Sequence, residues 1–526
     1  MKPHRRSTTA CASAALALLG ASASACFTGS SGREPSPDEL YFPTGLVTSP
    51  GRTTLYVTNS DFDLRYSAGS VQALDLAALR GATRPIVDAL AAAPDDVVAA
   101  CGAAGRGLND DDWLTPGPCS PFELPPLVRA YAFIGAFASG ALLVHAPDDE
   151  HARLFVPVRG DPSITYFEVE DDRAAAGGAA FAPSFRLDCG AEEDGKCAAA
   201  FRIGQDPEQA LRGIRLPADP VGIAASDDGS VIVTAHQTTA SASLLMNDWH
   251  DPSPPWLAYF ASGLPVGPME LASIPAPALA AAAGPDFGYG ASFALTYRSS
   301  AEVDVLRFNP DSGSVPPRPF VQRIGATLVG TNASGVDSRG IGIVADRRQA
   351  CEASCAANDL ACLEHCAEEV PLEVFVANRT PPSLVLGQFD SVLGHSGAVA
   401  SSAFDALTLY DAVPLATGVS RVRVGKVIDA DGALATRVFA VCFDSRAVYS
   451  FDPVLGRVDA VIRTGRGPHD LAFDWGEVGG EPYAQVYVAH FTDSYLGVVD
   501  LDMRHGATFG LMYATVGVPR PPEESN

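Results

Sequence analysis

The chain begins its folded part with Gly45-Leu-Val-Thr-Ser-Pro50, then Leu55-Tyr-Val-Thr-Asn59, then Val71-Gln-Ala-Leu-Asp75. The same order of short apolar runs and polar turns recurs near the end. There it reads Asp470-Leu-Ala-Phe-Asp474, Val486-Tyr-Val-Ala-His490 and Leu496-Gly-Val-Val-Asp500. Runs of about five apolar residues bounded by turn residues are typical of β-strands. The two ends of the chain therefore carry copies of one three-stranded unit.

Five further copies fit between these two. Their central strands are predicted at Leu154–Val158, Ile232–His236, Phe293–Tyr297, Val374–Asn378 and Val438–Cys442. The second unit is expected to open with Gly135–Ala138, whereas the unit at Phe293 has no clear first strand. Fourth strands are predicted at Val128–Phe133, Leu211–Leu216, Val458–Ile462 and 507–516.

Seven units of four strands predict an all-β protein, a seven-bladed β-propeller, over residues 39–520 with a short tail at 521–526. Radial closure leaves no long exposed edge, and neighbouring blades cover both faces of each strand, which explains the continuous apolar runs. The Leu55–Asn59 stretch, the Val376-Ala-Asn378 end and the Asp227-Asp-Gly229 turn resemble the YVTN-type propeller repeat family. That resemblance also implies seven blades.

The first 25 residues have the layout of a secretory signal. A basic start (Lys2, Arg5, Arg6) precedes the apolar stretch Ala14–Leu19 and the small residues 21–25. The next residue is Cys26, and small residues before a cysteine resemble the lipobox of bacterial lipoproteins, in which the thiol is acylated. Ordinary cleavage after Ala25, with Cys26 a spare thiol, is the alternative.

The lipoprotein resemblance sets an expected location for the protein. Residues 26–38 are polar and turn-forming, and are predicted to be a flexible tether. Phe27 stands where inner-membrane lipoproteins carry Asp, so the resemblance implies the outer membrane, with the protein facing either the periplasm or the cell surface.

The sequence contains 11 cysteines, and export favours pairing among them. We predict local disulfides Cys101–Cys119 and Cys189–Cys197. The C-x3-C-x6-C-x3-C run at 351–366 places two thiols on one face of each of two short helices. Such a helical hairpin over residues 349–369 pairs Cys351 with Cys366 and Cys355 with Cys362. The alternative is a four-cysteine zinc site, which favours shorter spacing.

The net charge of −26 disfavours nucleic-acid binding, which needs a basic surface. Loss of residues 1–25 removes three basic and no acidic residues and lowers the charge to −29. The sequence also lacks a phosphate-binding glycine loop, a GxSxG elbow and an HExxH helix. No cofactor and no metal site are predicted.

Propeller topology places the ends of second strands and the starts of first strands on one face, the funnel. Three arginines occupy the position just past the second strand of their units: Arg159, Arg298 and Arg379. Three histidines are also expected there: His236, His469 and His490. Residues that lead into first strands are Thr44, Asp219, Arg339 and the pair His469-Asp470.

The three arginines just past second strands and the three histidines are the candidate ligand-binding residues. Guanidinium groups form strong hydrogen bonds with carboxylate or phosphate oxygens. One alternative is that each arginine pairs with a nearby carboxylate, such as Asp161, and only fixes a turn. Another is a copper or zinc site of the three histidines, which requires a narrow channel. The helical hairpin is predicted on the opposite face, between first and second strands of its unit.

The resulting functional hypothesis is a non-catalytic binding or scaffold propeller, anchored to a membrane by lipid. Its partner is expected to be a protein or a small anionic ligand. The alternative is a propeller enzyme, a lactonase or other hydrolase, with its site on the funnel face. Carboxylates and histidines that converge in the channel mouth would favour the enzyme, and their absence there would favour the binding propeller.

The anchor is testable on protein isolated from its native membrane. We expect the mature chain to begin at an acylated Cys26, because the basic, apolar and small-residue segments precede it in the order that lipoprotein processing requires. Mass spectrometry of the N-terminal peptide checks this. A soluble product with another N-terminus and an unmodified Cys26 contradicts it.

Overall fold

The computed structural model describes residues 32–521, except 111–115, 148–150, 177–180, 209–211, 250–253, 330–336, 357, 398 and 479. The predicted signal, Cys26 and tether residues 27–31 lie outside the described residues. The strands form seven antiparallel sheets arranged in chain order. The predicted seven-bladed β-propeller is therefore confirmed.

Blades 1 to 3 occupy the first half of the chain. Blade 1 contains β1 (Pro43–Thr48), β2 (Thr54–Asn59), β3 (Gly69–Asp75) and β4 (Val128–Ile134). Blade 2 contains β5 (Leu142–His145), β6 (Ala152–Val158), β7 (Ser163–Val169), β8 (Leu187–Asp188) and β9 (Arg202–Ile203). Blade 3 contains β10 (Pro220–Ala225), β11 (Val231–His236), β12 (Ser241–Met246) and β13 (Trp256–Ser262).

Blades 4 to 7 follow with four strands each. Blade 4 contains β14 (Pro268–Ile274), β15 (Ser292–Tyr297), β16 (Glu302–Asn309) and β17 (Phe320–Leu328). Blade 5 contains β18 (Ser338–Val344), β19 (Leu372–Arg379), β20 (Pro382–Ser396) and β21 (Val399–Pro414). Blade 6 contains β22 (Val419–Ile428), β23 (Leu434–Cys442), β24 (Ala447–Asp452) and β25 (Arg457–Arg463). Blade 7 contains β26 (Pro468–Val478), β27 (Glu481–His490), β28 (Tyr495–Asp500) and β29 (Met512–Val516).

The described helices lie in connections between strands. They are α1 (Leu76–Ala92), α2 (Val97–Ala103), α3 (Arg173–Ala176), α4 (Ala278–Ala283), α5 (Asp346–Ser354) and α6 (Leu360–Glu369). Among them, none has the length and apolar character that crossing a membrane requires. Strands β2, β6, β11 and β15 are buried along their whole length, because blades pack on both of their faces.

Two predicted strands of blade 2 were wrong. Residues 135–138 form no first strand, because Phe137 has a φ of 61° and only Ala138 bridges to Val158; the strand is β5 instead. Residues 212–216 of the predicted fourth strand lie outside any strand. The edge of β7 is already occupied by β8 and β9, which flank the loop closed by a disulfide. No first strand was predicted for blade 4, and the structure shows that this strand is β14.

The predicted disulfides are present: Cys101–Cys119, Cys189–Cys197, Cys351–Cys366 and Cys355–Cys362. Helices α5 and α6 form the predicted hairpin between β18 and β19, so it lies on the face opposite the funnel. The sulfurs of three of these cysteines lie close together because the two bridges are adjacent, and all four thiols are oxidised. Buried Arg348 ties the hairpin to blade 5 by donating to Val370 O and Ser391 Oγ.

The ring closes between blade 1 and blade 7, and neither blade contributes a strand to the sheet of the other. Phe122, in the connection before β4, bridges in parallel to Val516 of β29. Phe122 N donates to Thr515 O at 2.8 Å, and Gly517 N donates to Phe122 O at 2.8 Å. The Cys101–Cys119 disulfide lies just before this contact and packs in the same core cluster as β29. It therefore restrains the segment that joins the first blade to the last.

This disulfide should stabilise the closed ring. Its loop spans 18 residues, so replacing both cysteines by alanine is expected to lower the free energy of unfolding by about 3 kcal/mol. Hydrogen exchange in β29 should also become faster, because Phe122 loses its restraint. Urea unfolding and hydrogen-exchange mass spectrometry measure the two effects.

The matched control is the Cys189→Ala, Cys197→Ala variant, whose bridge closes a shorter loop at the edge of blade 2. That variant should leave exchange in β29 unchanged. Equal exchange in β29 for both double variants contradicts a role for the first disulfide in ring closure.

Candidate functional site

One backbone conformation recurs at the funnel end of all seven blades. The residue that leads into the first strand has a positive φ, and six of the seven first strands have a register shift just after it. These residues are Phe42, Phe137, Asp219, Gly267, Asp337, Gly418 and Gly467. The left-handed conformation turns the chain sharply into the channel.

A recurring hydrogen bond fixes this turn. In each blade the backbone N–H at the end of the second strand donates to the carbonyl of the positive-φ residue, over 2.6–3.2 Å. The donors, in blade order, are Ser60, Arg159, Gln237, Arg298, Arg379, Phe443 and Phe491. Arg159, Arg298 and Arg379, which the sequence predicted at one equivalent position, are among these donors.

This register builds a funnel cavity of about 260 Å³. The second residue after the positive-φ position contributes Thr44, Ser139, Val221, Met269, Arg339 and His469 to the lining. The donor position contributes Ser60, Arg159, Gln237, Arg298 and Phe491. Phe62, Phe137, Ala138, Glu270 and Arg421 complete the lining.

The floor of the cavity is a layer of charged residues and glycines. It comes from the third residue after the positive-φ position: Gly45, Gly140, Gly222, Glu270, Gly340, Arg421 and Asp470. A Cβ on Gly222 would lie 2.1 Å from Met269 O, and one on Gly340 would lie 2.5 Å from Val422 N. Glycine therefore lets neighbouring inner strands approach closely, which leaves the three charged side chains to fill the channel.

An ionic plug of Glu270, Arg421, Arg423 and Asp470 crosses the channel. Arg423 lies 3.0 Å from Glu270 Oε1 and 2.9 Å from Asp470 Oδ1. Arg421 donates to Ser139 O at 2.9 Å and lies 3.7 Å and 3.9 Å from the two carboxylates. Glu270 and Arg423 also line a second, largely apolar cavity of about 470 Å³ below the plug. The plug thus separates the funnel from the opposite mouth.

The Asp470 carboxylate of the plug is held ionised. Burial acts to raise the pKa of Asp470, but Arg423 and Arg421 outweigh it and the pKa is lowered. Burial likewise acts to lower the pKa of Arg423, and Asp470 and Glu270 reverse this and raise it. Two carboxylates and two guanidinium groups therefore neutralise each other inside the channel.

The three predicted arginines differ in their surroundings. Arg159 lines the cavity and pairs with Asp219 of the next blade. Arg379 lies outside the cavity lining and pairs with Asp444 at 2.5 Å. Arg298 is exposed, lines the cavity, and has no ion pair among the residues that the structure describes. Arg159 and Arg298 therefore line the same cavity, whereas Arg379 does not.

The three predicted histidines do not converge. His236 and His490 are fully buried in their blades, where His236 contacts Ser243 Oγ at 2.8 Å and His490 accepts from Gly465 N. Burial lowers their pKa values to about 4 and about 3. Only His469 lines the cavity. Its Nδ1 lies 2.9 Å from Thr44 O, and burial followed by repulsion from Arg421 lowers its pKa to about 3.

Two groups of lining residues were missed at the sequence level. Phe62 lies in a loop and matches no strand pattern, and Phe137 was wrongly assigned to a first strand. Arg421 and Glu270 were missed because the register shift at each first strand hides which residues face the channel. A detectable signal existed in the recurring x-Pro-x-Gly stretches at 42–45 and 219–222, with Gly-Pro at 267–268 and 467–468.

No protein-family model and no curated protein matches the sequence. Solved structures do show similarity. Hydrazine synthase of Kuenenia stuttgartiensis has a TM-score of 0.44 at 11% identity, over 90% of this chain and 98% of that chain. The periplasmic gluconolactonase of Pseudomonas aeruginosa has a TM-score of 0.41 at 14% identity, over 81% and 87%. At these values the similarities say nothing about activity or ligand.

Replacing Asp470 by Asn should destabilise the plug. The change leaves Arg423 buried with one carboxylate, so the free energy of unfolding at neutral pH should fall by about 3 kcal/mol. Because the folded-state pKa of Asp470 is lowered, its contribution is present above the unfolded-state pKa of about 4 and is lost as pH falls through the folded-state value. The variant should therefore lose less stability than the parent on acidification below pH 5. Urea unfolding across pH measures both effects.

The control is Asp88→Asn, which removes an exposed carboxylate from its pair with Arg84 on one helix and should change stability by under about 1 kcal/mol. Equal destabilisation by the two substitutions contradicts a structural role for the plug.

Proposed function

We propose that the protein is a non-catalytic binding propeller that takes a small anionic ligand into the funnel cavity. The observation that carries this proposal is Arg298. This residue lines the cavity, is exposed, and forms no ion pair in the described part of the chain. An unpaired guanidinium can form charge-assisted hydrogen bonds to a carboxylate, phosphate or sulfonate.

Charge distribution supports an anion over a cation. Four arginines line the cavity, and three of them, Arg159, Arg339 and Arg421, pair with carboxylates. Arg298 therefore supplies the unpaired positive charge of the described lining, on a chain with a net charge of −26. The cavity volume of about 260 Å³ suits a small molecule better than a protein segment.

The protonation states favour binding over acid–base hydrolysis. A general base needs a pKa near the working pH, but His469 has a pKa of about 3. Asp470 and Glu270 are bound to arginines instead of facing a substrate as free carboxylates. A lactonase-like or other hydrolytic activity therefore has less support in this cavity.

The cellular setting of the proposal is export and anchoring through Cys26 at the outer membrane. It is supported by the order of basic, apolar and small residues before that cysteine and by four disulfides, which form in oxidising compartments. The acidic charge supports a ligand other than nucleic acid.

The proposal is tested with sulfate, whose charge is constant around neutral pH. Isothermal titration calorimetry at low ionic strength should detect binding to the mature protein. Arg298→Ala should weaken that binding about tenfold, because it removes a charge-assisted contact.

Arg379→Ala is the matched control, since it occupies the same register position in its blade but pairs with Asp444 outside the cavity lining. It should leave sulfate affinity unchanged. Equal affinities for Arg298→Ala and the parent, or no sulfate binding by the parent, would overturn the proposed function.

A further inference from the structure

We infer that the ligand of the funnel is an aromatic acid, with its ring on one wall of the cavity and its anionic group on the other. This inference rests on the proposed function and adds the chemical class of the ligand. It follows from the unequal distribution of aromatic and cationic side chains around the ring of blades.

One wall is aromatic and is here called the aromatic wall: Phe62, Phe137 and Phe491. Phe62 lies 5.8 Å from Phe137 and 5.2 Å from Phe491, measured between ring centroids, and both pairs meet edge to face. Phe491 is also stacked on His469 at 5.6 Å. Edge-to-face packing of this kind leaves ring faces and edges that a further aromatic ring can contact.

The aromatic wall is held in place from behind. Phe42 lies 5.9 Å from Phe62 and 5.0 Å from Phe491, and Tyr41 packs on Phe42 at 4.9 Å. Yet Phe62 remains 51% exposed although it lines the cavity. A large apolar side chain that is fixed at a concave site and still open to solvent is typical of a ligand contact.

Phe137 adds a backbone argument. Its φ of 61° places a bulky residue in the left-handed region, where such residues are uncommon. The conformation is locked from both sides, since Phe137 N donates to Ser60 O and Phe137 O accepts from Arg159 N. At the equivalent position three other blades use Gly, which adopts this conformation without strain. Retaining phenylalanine there places an aromatic side chain at the cavity.

The opposite wall is cationic and is here called the cationic wall: Arg298 and Arg339. These residues belong to blades 4 and 5, which lie across the ring of seven from blade 1 and Phe62. The other two lining arginines are outside this wall, since Arg159 of blade 2 pairs with Asp219 and Arg421 spans the channel to Ser139 O at the entry of blade 2. Arg339 is bound bidentately by Asp337 and Arg421 by the plug, so Arg298 is the guanidinium available to an anion.

A buried hydroxyl at the aromatic wall indicates a polar ligand group as well. Ser60 lines the cavity, is 1% exposed, and its Oγ has no hydrogen-bond partner among the described residues. Buried hydroxyls are normally satisfied. A ring substituent such as a hydroxyl, next to the aromatic wall, would supply the missing partner.

The test compares benzenesulfonate with methanesulfonate, which share one permanently charged head group and differ in the ring. Calorimetric titration of the parent protein should give about tenfold tighter binding of benzenesulfonate, because only its ring contacts the aromatic wall. Phe62→Leu and Phe62→Ala should abolish this difference while leaving methanesulfonate affinity unchanged. Arg298→Ala should weaken binding of both ions.

Phe404→Ala is the matched control, since Phe404 is similarly exposed at 46% but lies on the outer strand β21. It should preserve the preference for benzenesulfonate. Equal affinity of the parent for the two sulfonates, with both lost in Arg298→Ala, overturns the aromatic-acid inference and leaves the proposed function standing. Failure of the parent to bind either sulfonate or sulfate overturns both.

Discussion

At the funnel end of each blade, the amide that closes the second strand donates to the carbonyl of the positive-φ residue before the first strand. This hydrogen bond occurs seven times, and it fixes which residues of the inner strands face the channel. The second residue after the positive-φ position then contributes to the lining of the funnel, and the third supplies its floor. The identity of the residues at those positions differs from blade to blade, so a repeated backbone carries a site without rotational symmetry.

Two further constraints protect that register. The ring closes without a shared strand, so the last blade relies on the parallel bridge between Phe122 and Val516 and on hydrogen bonds such as Leu46 N to Asp470 Oδ2. The ionic plug ties blades 4, 6 and 7 together across the channel through Glu270, Arg423 and Asp470. An incorrectly closed ring would leave these buried charges unpaired, which is unfavourable by several kcal/mol. The ionic plug therefore both stabilises the closed ring and separates the two cavities.

Sequence reasoning succeeded where blades bury strands on both faces. Such strands as Leu154–Val158 and Val438–Cys442 are continuous apolar runs, and their ends were predicted well enough to align the residues that follow them. The four disulfides were also predictable, because each joins cysteines close in sequence. First strands were harder, since the positive-φ turn and the register shift interrupt the alternating pattern, as at Phe137 and in β14.

The partners of individual site residues could not be predicted from the neighbouring sequence. Arg159 and Arg379 find their carboxylates in the next blade, 60 and 65 residues away, whereas Arg298 finds none in the described residues. Phe62 lies in a loop with no periodicity to reveal its direction. Only the closed ring brings the aromatic residues of blades 7, 1 and 2 opposite Arg298 and Arg339 of blades 4 and 5. The bipolar character of the cavity is therefore a property of the fold.

The most direct test of this account is a crystal structure of the mature protein grown with benzenesulfonate. The account predicts electron density in the funnel, with sulfonate oxygens within hydrogen-bond distance of the Arg298 guanidinium and the phenyl ring against Phe62. A structure in which the funnel holds only water while the ligand is bound elsewhere, or not at all, would contradict it.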